Sequence, residues 1–409
     1  MSGEWEDLVL ADLGRIVTGK TPLTSVESYF GGEIPFVTPS DMKGTKTITT
    51  TARFLSQEGA ASVKGSKIPT GAVMVSCIGS DMGKVAIAGR DCVTNQQINS
   101  IIVDSRFSSE FVYYSLSTRK NEIRHQAAGG SAVPILNKGD FSRMNIAMPP
   151  LVEQKRIAHI LGTLDDKIEL NRRMNATLEA MARALFQSWF VDFDPVRRNA
   201  EGGDSRPEDA LFPDSFEDSE IGEIPKGWKV KPLDLIADYQ NGLALQKFRP
   251  AEDEEPLPIV KIAQLKSGEA TWDEVASPSI NPACIIDTGD VVFSWSGSLL
   301  VTVWCGGRAA LNQHLFKVTS DKYPKWFCLH WTQKHLADFQ RIAADKAVTM
   351  GHIKRSHLTE AMCVVPDAKA LQEGTRKIAP LIEQMIALET QSRTLADLRD
   401  SLLPALLSG

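Results

Sequence analysis

The sequence predicts an α+β protein built by tandem duplication: a globular mixed α/β domain, a long helix, then the same pair again. Three observations predict it. Two stretches carry sustained heptads, a series of motifs recurs in order in the two halves, and each half holds glycine-bounded apolar runs of strand character.

Within the first half, AVMVSCIG (72–79) reads as a strand ended by glycine, and YYSLSTRKNEIRHQAA (113–128) reads as a helix. The next stretch, 151–191, places Ile157, Leu161, Leu164, Ile168, Asn171, Asn175, Leu178, Ala182, Leu185 and Trp189 at steps of three and four. That is an a/d seam, the mark of a helix packing along another helix. Pro149-Pro150 stands just upstream, where proline can open a helix but not continue one. A helix of this length is a rod of roughly 60 Å. Asn171 and Asn175 sit in its seam, where a buried amide fixes register at some cost in stability.

A second seam runs through Leu381, Met385, Leu388, Ser392, Leu395, Leu398 and Leu402 until Pro404, predicting a shorter rod. Heptads alone leave open whether the two rods pair with each other or with other chains. Between them, the second half matches the first at an offset near 217 residues. PTGAVMVSCIGS (69–80) answers to DTGDVVFSWSGS (287–298), GRDCVTNQQ (89–97) to GRAALNQH (307–314), and Leu136-Asn137-Lys138 to Ile353-Lys354-Arg355. WFCLHWTQKHLADFQRIAA (326–344) is the second half's helix. The organisation expected is a first domain over 1–150, a long helix over 151–193, an acidic linker over 194–226, a second domain over 227–370 and a closing helix over 371–409.

At 409 residues, 43% of them hydrophobic, the chain can bury two cores. The net charge of −6 belongs to residues 194–226, which carry ten acids against four bases; elsewhere 41 acidic and 41 basic residues balance. Balanced domains can still carry basic faces, so the overall acidity does not exclude a nucleic-acid partner. Six cysteines form no CxxC pair and no set with histidine at ligand spacing, which favours free thiols in a reducing cytoplasm. The N-terminus lacks the basic-then-apolar order of a signal peptide, and the longest uncharged run, Val291 to Gly307, is broken by serine and glycine.

No set of residues supports catalysis. GSDMGKV (79–85) has three residues between its glycines and valine after the lysine, where a phosphate loop needs four and Ser/Thr. Asn281-Pro282-Ala283-Cys284 lacks the second proline and the aromatic ring of an amino-methyltransferase loop. The seven histidines form no HxxxH group, and there is no GxSxG elbow. A non-catalytic binding protein is expected, with no metal or cofactor held by this chain.

PPLVEQKRIAHILGTLDDKIELNRRMNATLEAMARALFQSWFVDFDPV is very similar to the central region of specificity subunits of type I restriction–modification systems. The segments LFPDSFEDSEIGEIPKGW and LRDSLLPALLSG, together with GKTP (19–22), IPFVTPSDMKG (34–44), VAIAGRDCVTNQQ (85–97) and GGSAVPILNKGDF (129–141), extend the resemblance along the whole chain. The second half departs from it, with NGLALQKF in place of the GKTP turn and DKAVTMGHIKRSHL in place of the glycine-serine segment. The resemblance implies that each globular domain is a target-recognition domain for half of a bipartite, asymmetric site in double-stranded DNA. It implies that the rods pair as an antiparallel coiled coil, set the spacer and dock two modification (methyltransferase) subunits. Those subunits would use S-adenosylmethionine to methylate adenine N6, and two restriction subunits would use ATP and magnesium. The alternative is a protein-binding scaffold with two related domains on a coiled-coil strut.

Asparagine and glutamine suit adenine, arginine and lysine suit guanine, and small hydroxyls suit phosphates. The first domain's candidates are Lys20, Thr21, Ser40, Lys43, Ser80, Lys84, Asn95, Gln96, Gly130 and Ser131. The second's are Lys247, Arg249, Lys261, Gln264, Ser296, Ser298, Asn312, Gln313, Thr349 and His352. Asn95/Asn312 and Gln96/Gln313 recur in both halves, which also suits holding a turn. Candidates for docking the modification subunits on the rods' outward faces are Glu153, Gln154, Arg156, Arg172 and Arg173, with Phe186, Trp189, Phe190 and Phe193. For the aromatics the alternative is contact with a globular domain of the same chain.

Overall fold

In the computed structural model, residues 5–127, 134–202, 206–345 and 351–408 are described, and the chain divides into two compact units. The first is Met1–Leu170 with Arg393–Gly409; the second is Asn171–Ser392.

The first unit is built on two sheets. One runs in the order Gly14–Thr18, Ile98–Val103, Val73–Ser76, Val85–Ala88 and Thr47–Ile48. Its neighbours are antiparallel except the last pair, where Thr47 lies parallel against Ile87. The other runs Phe54–Leu55, Phe30–Val37, Cys92–Thr94 and Lys67–Ile68, around a parallel centre that sets Phe36 beside Val93 and Val37 beside Thr94. Parallel strands send their following loops off the same edge, so residues after Val37 and after Thr94 emerge together. A ribbon of Glu6–Val9 with Asn145–Met148 completes the unit. Val73, Val75, Phe111, Tyr114 and Phe141 fill its main core. The expected single helix is two, Ser109–Ser117, whose first turn the Ser108 hydroxyl caps by accepting from the Phe111 amide, and Lys120–Gln126.

The second unit repeats this design except for the strand matching Thr47–Ile48, which its main sheet lacks. Asp238–Asn241, Leu315–Thr319, Val291–Ser294 and Leu300–Val303 form its antiparallel sheet. Val275–Ala276, Leu257–Val260, Ala309–Leu311 and Ile285–Ile286 form the other, again with a parallel centre pairing Ile259 with Ala310. Lys229–Pro232 with Met362–Val365 is the matching ribbon. Here the late helix is continuous over Lys325–Asp345.

The central helix, Leu151–Phe186, starts where Pro150 ends the preceding strand, with the Glu153 and Gln154 amides donating to the Pro150 carbonyl. It passes into a π-helical turn at Gln187–Val191, and then Phe193 adopts a left-handed φ of 58°. The C-terminal helix, Ala368–Leu407, has 40 residues against 36 for the central α-helix and 41 with its π-helical turn, so the two rods are nearly equal where a shorter second one was expected. It continues through Pro380 and Pro404. Each proline removes one backbone hydrogen bond, but Leu403 is buried beside the second of them and holds the last turn on the first unit's core.

Antiparallel pairing is visible inside each unit. In the second, Asn171 donates to Gln391 Oε1 at 2.9 Å and Ser392 Oγ at 3.2 Å, while Asn175, one turn on, reaches back to Glu389. In the first, Asp165 accepts from Arg399 Nη1 at 2.7 Å, and Leu161 shares a core with Leu403. The expected seam slips at its far end: Leu398 is 46% exposed, and Arg399 faces inward. A straight helix drifts against a strict seven-residue repeat, and the salt bridge takes up the change of face.

The acidic segment expected as a linker is folded onto the second unit. It holds the helix Asp194–Glu201 and the hairpin Phe216–Ser219 with Gly222–Pro225. Arg198 grips Asp209 through two hydrogen bonds of 2.8 and 2.7 Å, and Phe212 packs against Trp189 and Trp228.

Candidate nucleic-acid interface

Each unit gathers its loops at the edge where the two parallel strands end. In the first unit, the Gly19 amide donates to the Ile98 carbonyl and the Lys20 amide to that of Thr94. A Cβ on Gly19 would lie 2.0 Å from the Asn95 carbonyl oxygen, so the turn closes only with glycine. Thr21 Oγ1 then donates to Gln96 Oε1 at 2.6 Å, tying two predicted residues together. The Asn95 amide donates to the Val37 carbonyl, which sets the 95–97 turn beside the 38–43 loop. In that loop Ser40 shares a hydroxyl contact of 2.7 Å with Thr38, whose own hydroxyl donates to Asp41. Lys84 Nζ pairs with Asp81 at 2.8 Å and donates to the Pro39 carbonyl. Arg124 donates to the Ser80 carbonyl, adding a cation that the sequence reading missed.

Lys20, Ser40, Lys43, Ser80 and Gln96 are exposed, so five candidates present side chains to solvent around one loop cluster. Asn95 is different. It is buried, its Oδ1 accepts from the Gln97 amide and its Nδ2 donates to Gln97 Oε1. It holds the turn. Gly130 and Ser131 lie outside the described residues.

The second unit uses the same backbone frame. Gly242 donates to the Leu315 carbonyl and Leu243 to that of Leu311, so the counterpart of Lys20 is Leu243. Lys247 and Arg249 follow it, exposed, beside a hollow of about 440 Å³ that Lys261 and Asn312 also line. Lys261 is paired there with Glu274, and Gln264 caps the Lys261 amide at 3.3 Å. Asn312 is buried and accepts from the His314 amide at 3.2 Å, repeating the work of Asn95. Ser296 is also buried, its hydroxyl 3.0 Å from His314 Nδ1. Ser298, Gln313 and His352 are exposed. Thr349 lies outside the described residues.

Three further hydrogen bonds recur. Cys77 N to the Gln97 carbonyl, Leu136 N to the Cys77 carbonyl and Gly79 N to the Pro134 carbonyl have counterparts in Trp295 to His314, Ile353 to Trp295 and Gly297 to Gly351. The bridge between Ile78 and Ile135 is matched by one between Ser296 and His352. The frame is common, yet the side chains upon it differ: Cys77 against Trp295, Ile78 against Ser296, Gln97 against His314, Ile135 against His352.

The rod candidates divide. Arg156, Arg172 and Arg173 are exposed and Glu153 half-buried, with Arg156 Nη1 3.8 Å from Glu153 Oε2. Gln154 does not face outward: its Oε1 accepts from the Ser108 amide and its Nε2 donates to the Pro149 carbonyl. Nor do the aromatics. Phe186 stacks on His330, Phe190 on Trp228, and Trp189 and Phe193 are buried with them in the second unit's core. Rings of this size are worth more inside than on a wet helix face, and the π-helical turn rotates them inward. Burial holds the His330 imidazole below its usual range.

All six cysteines are free, and burial pushes the Cys77 thiol up to about 11 and that of Cys92 to about 12, so both stay protonated and unreactive. Among the described residues no cluster of three or more His, Cys, Asp or Glu could hold a metal ion, and no helix is long and apolar enough to cross a membrane.

The chain is thus a duplicated domain, each copy with its loops gathered at one edge and a long helix attached. Residues 2–180 match the family described as type I restriction modification DNA specificity domain. The type I restriction enzyme MjaIX specificity subunit of Methanocaldococcus jannaschii is 28% identical, covering 99% of this chain and 93% of that protein. The HindI specificity subunit of Haemophilus influenzae is 38% identical over 42% of this chain and 38% of its own length. The fold is that of the type I restriction-modification S subunit from M. genitalium, with a TM-score of 0.60 at 14% identity, covering 98% of this chain and 96% of that one. Along nearly its whole length the chain is thus similar to specificity subunits of type I restriction–modification systems, and its first half carries the match to their DNA specificity domain.

Proposed function

We propose that this chain is the non-catalytic subunit that reads an asymmetric, bipartite site in double-stranded DNA, one half through each unit's loop cluster. The observation that carries this reading is the common hydrogen-bonded frame bearing different side chains. Two identical subunits would read two identical half-sites; a duplicated and diverged domain suits two different ones. The paired helices fix the spacer between the half-sites and dock two adenine-methyltransferase subunits, through which two restriction subunits join. S-adenosylmethionine, ATP and magnesium belong to those partners, and the assembly works in the cytoplasm. Exposed Arg156, Arg172 and Arg173 remain the docking candidates on the central helix.

The test is duplex binding by the full chain as salt is raised. Phosphate contacts make affinity fall steeply with salt, so a salt-independent or absent interaction would favour the protein-scaffold reading. Exchanging residues 1–150 for the equivalent domain of a relative should change the preferred sequence of one half-site. A change in both halves would count against a separate reader in each unit.

A further inference from the structure

Among the frame positions that differ between the units, four lie along the three further hydrogen bonds and the bridge, and they are not equivalent in what they can do. Cys77 is buried. Gln97 and His314 are half-buried. Ser296 is buried too. The remaining pair, Ile135 and His352, is exposed in both units and bridged to the same point of the frame, Ile78 in one and Ser296 in the other.

Ile135 is 49% exposed although the next residue, Leu136, is buried in the core. It stands beside the Gly79-Ser80 loop, where the Gly79 amide holds the Pro134 carbonyl. His352 stands at the same place, its ring 6.3 Å from that of Trp295. A branched alkyl group has nothing to offer a phosphate or a water-filled groove. It does suit the C5-methyl group of thymine, the one apolar feature of the major groove. An imidazole at the same point offers a hydrogen-bond donor or acceptor to a base edge and ignores that methyl group.

We propose that the position shared by Ile135 and His352 determines specificity: Ile135 selects a thymine in the half-site read by the first unit, and His352 selects a hydrogen-bonding base edge in the other. This rests on the DNA-reading function proposed above. Backbone frame and side chain then divide the labour, the frame placing one residue at a fixed point and the residue type choosing the base.

The experiment selects bound sequences from a pool of randomised duplex DNA with the full chain and with Ile135→His, Ile135→Thr and His352→Ile. Ile135→His should lower preference for thymine at one position of one half-site by about tenfold, an effect of the size of one base contact. His352→Ile should relax one position in the other half only. Ile135→Thr, which keeps a methyl group, should retain the thymine preference and so guards against misfolding of the histidine variant. The salt slope of binding should be the same in all four proteins, because no phosphate contact is touched. Unchanged preferences with duplex binding intact would overturn the proposal and leave the DNA-reading function standing. Absence of salt-dependent duplex binding by the unaltered chain would overturn both.

Discussion

Asp209 has no exposed side-chain surface, and a carboxylate in that position needs a cation and hydrogen bonds. Arg198 supplies two, the Arg206 amide a third, and the Arg198 pairing first of all holds the Asp209 carboxyl below the usual carboxylate range. A depressed carboxyl pKa stabilises the folded state above its unfolded value, and that stability is lost as pH falls through the lower, folded value. The second unit should therefore melt earlier as pH drops below about 4. Asp209→Ala should cost about 3 kcal/mol at neutral pH, because it strands the Arg198 guanidinium, and should flatten that acid limb; thermal unfolding against pH checks both. Nothing in the sequence singled out Asp209 among ten neighbouring acids. An ion pair that closes a loop of eleven residues leaves no periodic mark, whereas the recurrence of Asn95 and Asn312 was legible and the turn-holding alternative for both is what the structure shows.

At the scale of elements, the rods were legible because a seam repeated every three and four residues cannot be hidden by composition. Their facing was less so. Phe186, Trp189, Phe190 and Phe193 lie where the helix changes from α to π, and the change moves all four onto the core side. Gly374 shows how closely the C-terminal helix meets that cluster. A Cβ there would come within 2.7 Å of Phe190 Cζ and 2.9 Å of Trp326 Cη2, both rings being buried. Alanine would add about 1 kcal/mol of helix propensity, but displacing two packed rings costs roughly 1–3 kcal/mol. Gly374→Ala should therefore lower the melting temperature of the second unit, and a rise would show that the rings can move aside. The strands were legible as apolar runs; which of them lie parallel was not, since parallel order depends on crossovers far apart in sequence.

At the scale of the whole molecule, the duplication was visible from ordered matches alone, but the make-up of the units was not. The first unit draws on both Met1–Leu170 and Arg393–Gly409. Tyr114 Oη donates to Asp165 at 2.6 Å, Arg399 donates to the other oxygen of that carboxylate, and Leu403 enters the same core. Domain boundaries drawn from sequence at 150 and 371 follow the chain, whereas cores follow contacts. Removing residues 393–409 should destabilise the first unit by several kcal/mol, roughly the cost of breaking a buried ion pair plus one buried leucine. Amide hydrogen exchange should then show faster exchange in strands such as Val73–Ser76 while the strands Val291–Ser294 and Leu315–Thr319 keep their protection.

That borrowing also decides which unit a shortened chain loses first. A chain that stops short of Arg399 and Leu403 holds the second unit's whole sequence, 171–392, while the first unit still lacks its last piece. Trimming from that side therefore strips the unit that comes first in the chain before it touches the one that comes second.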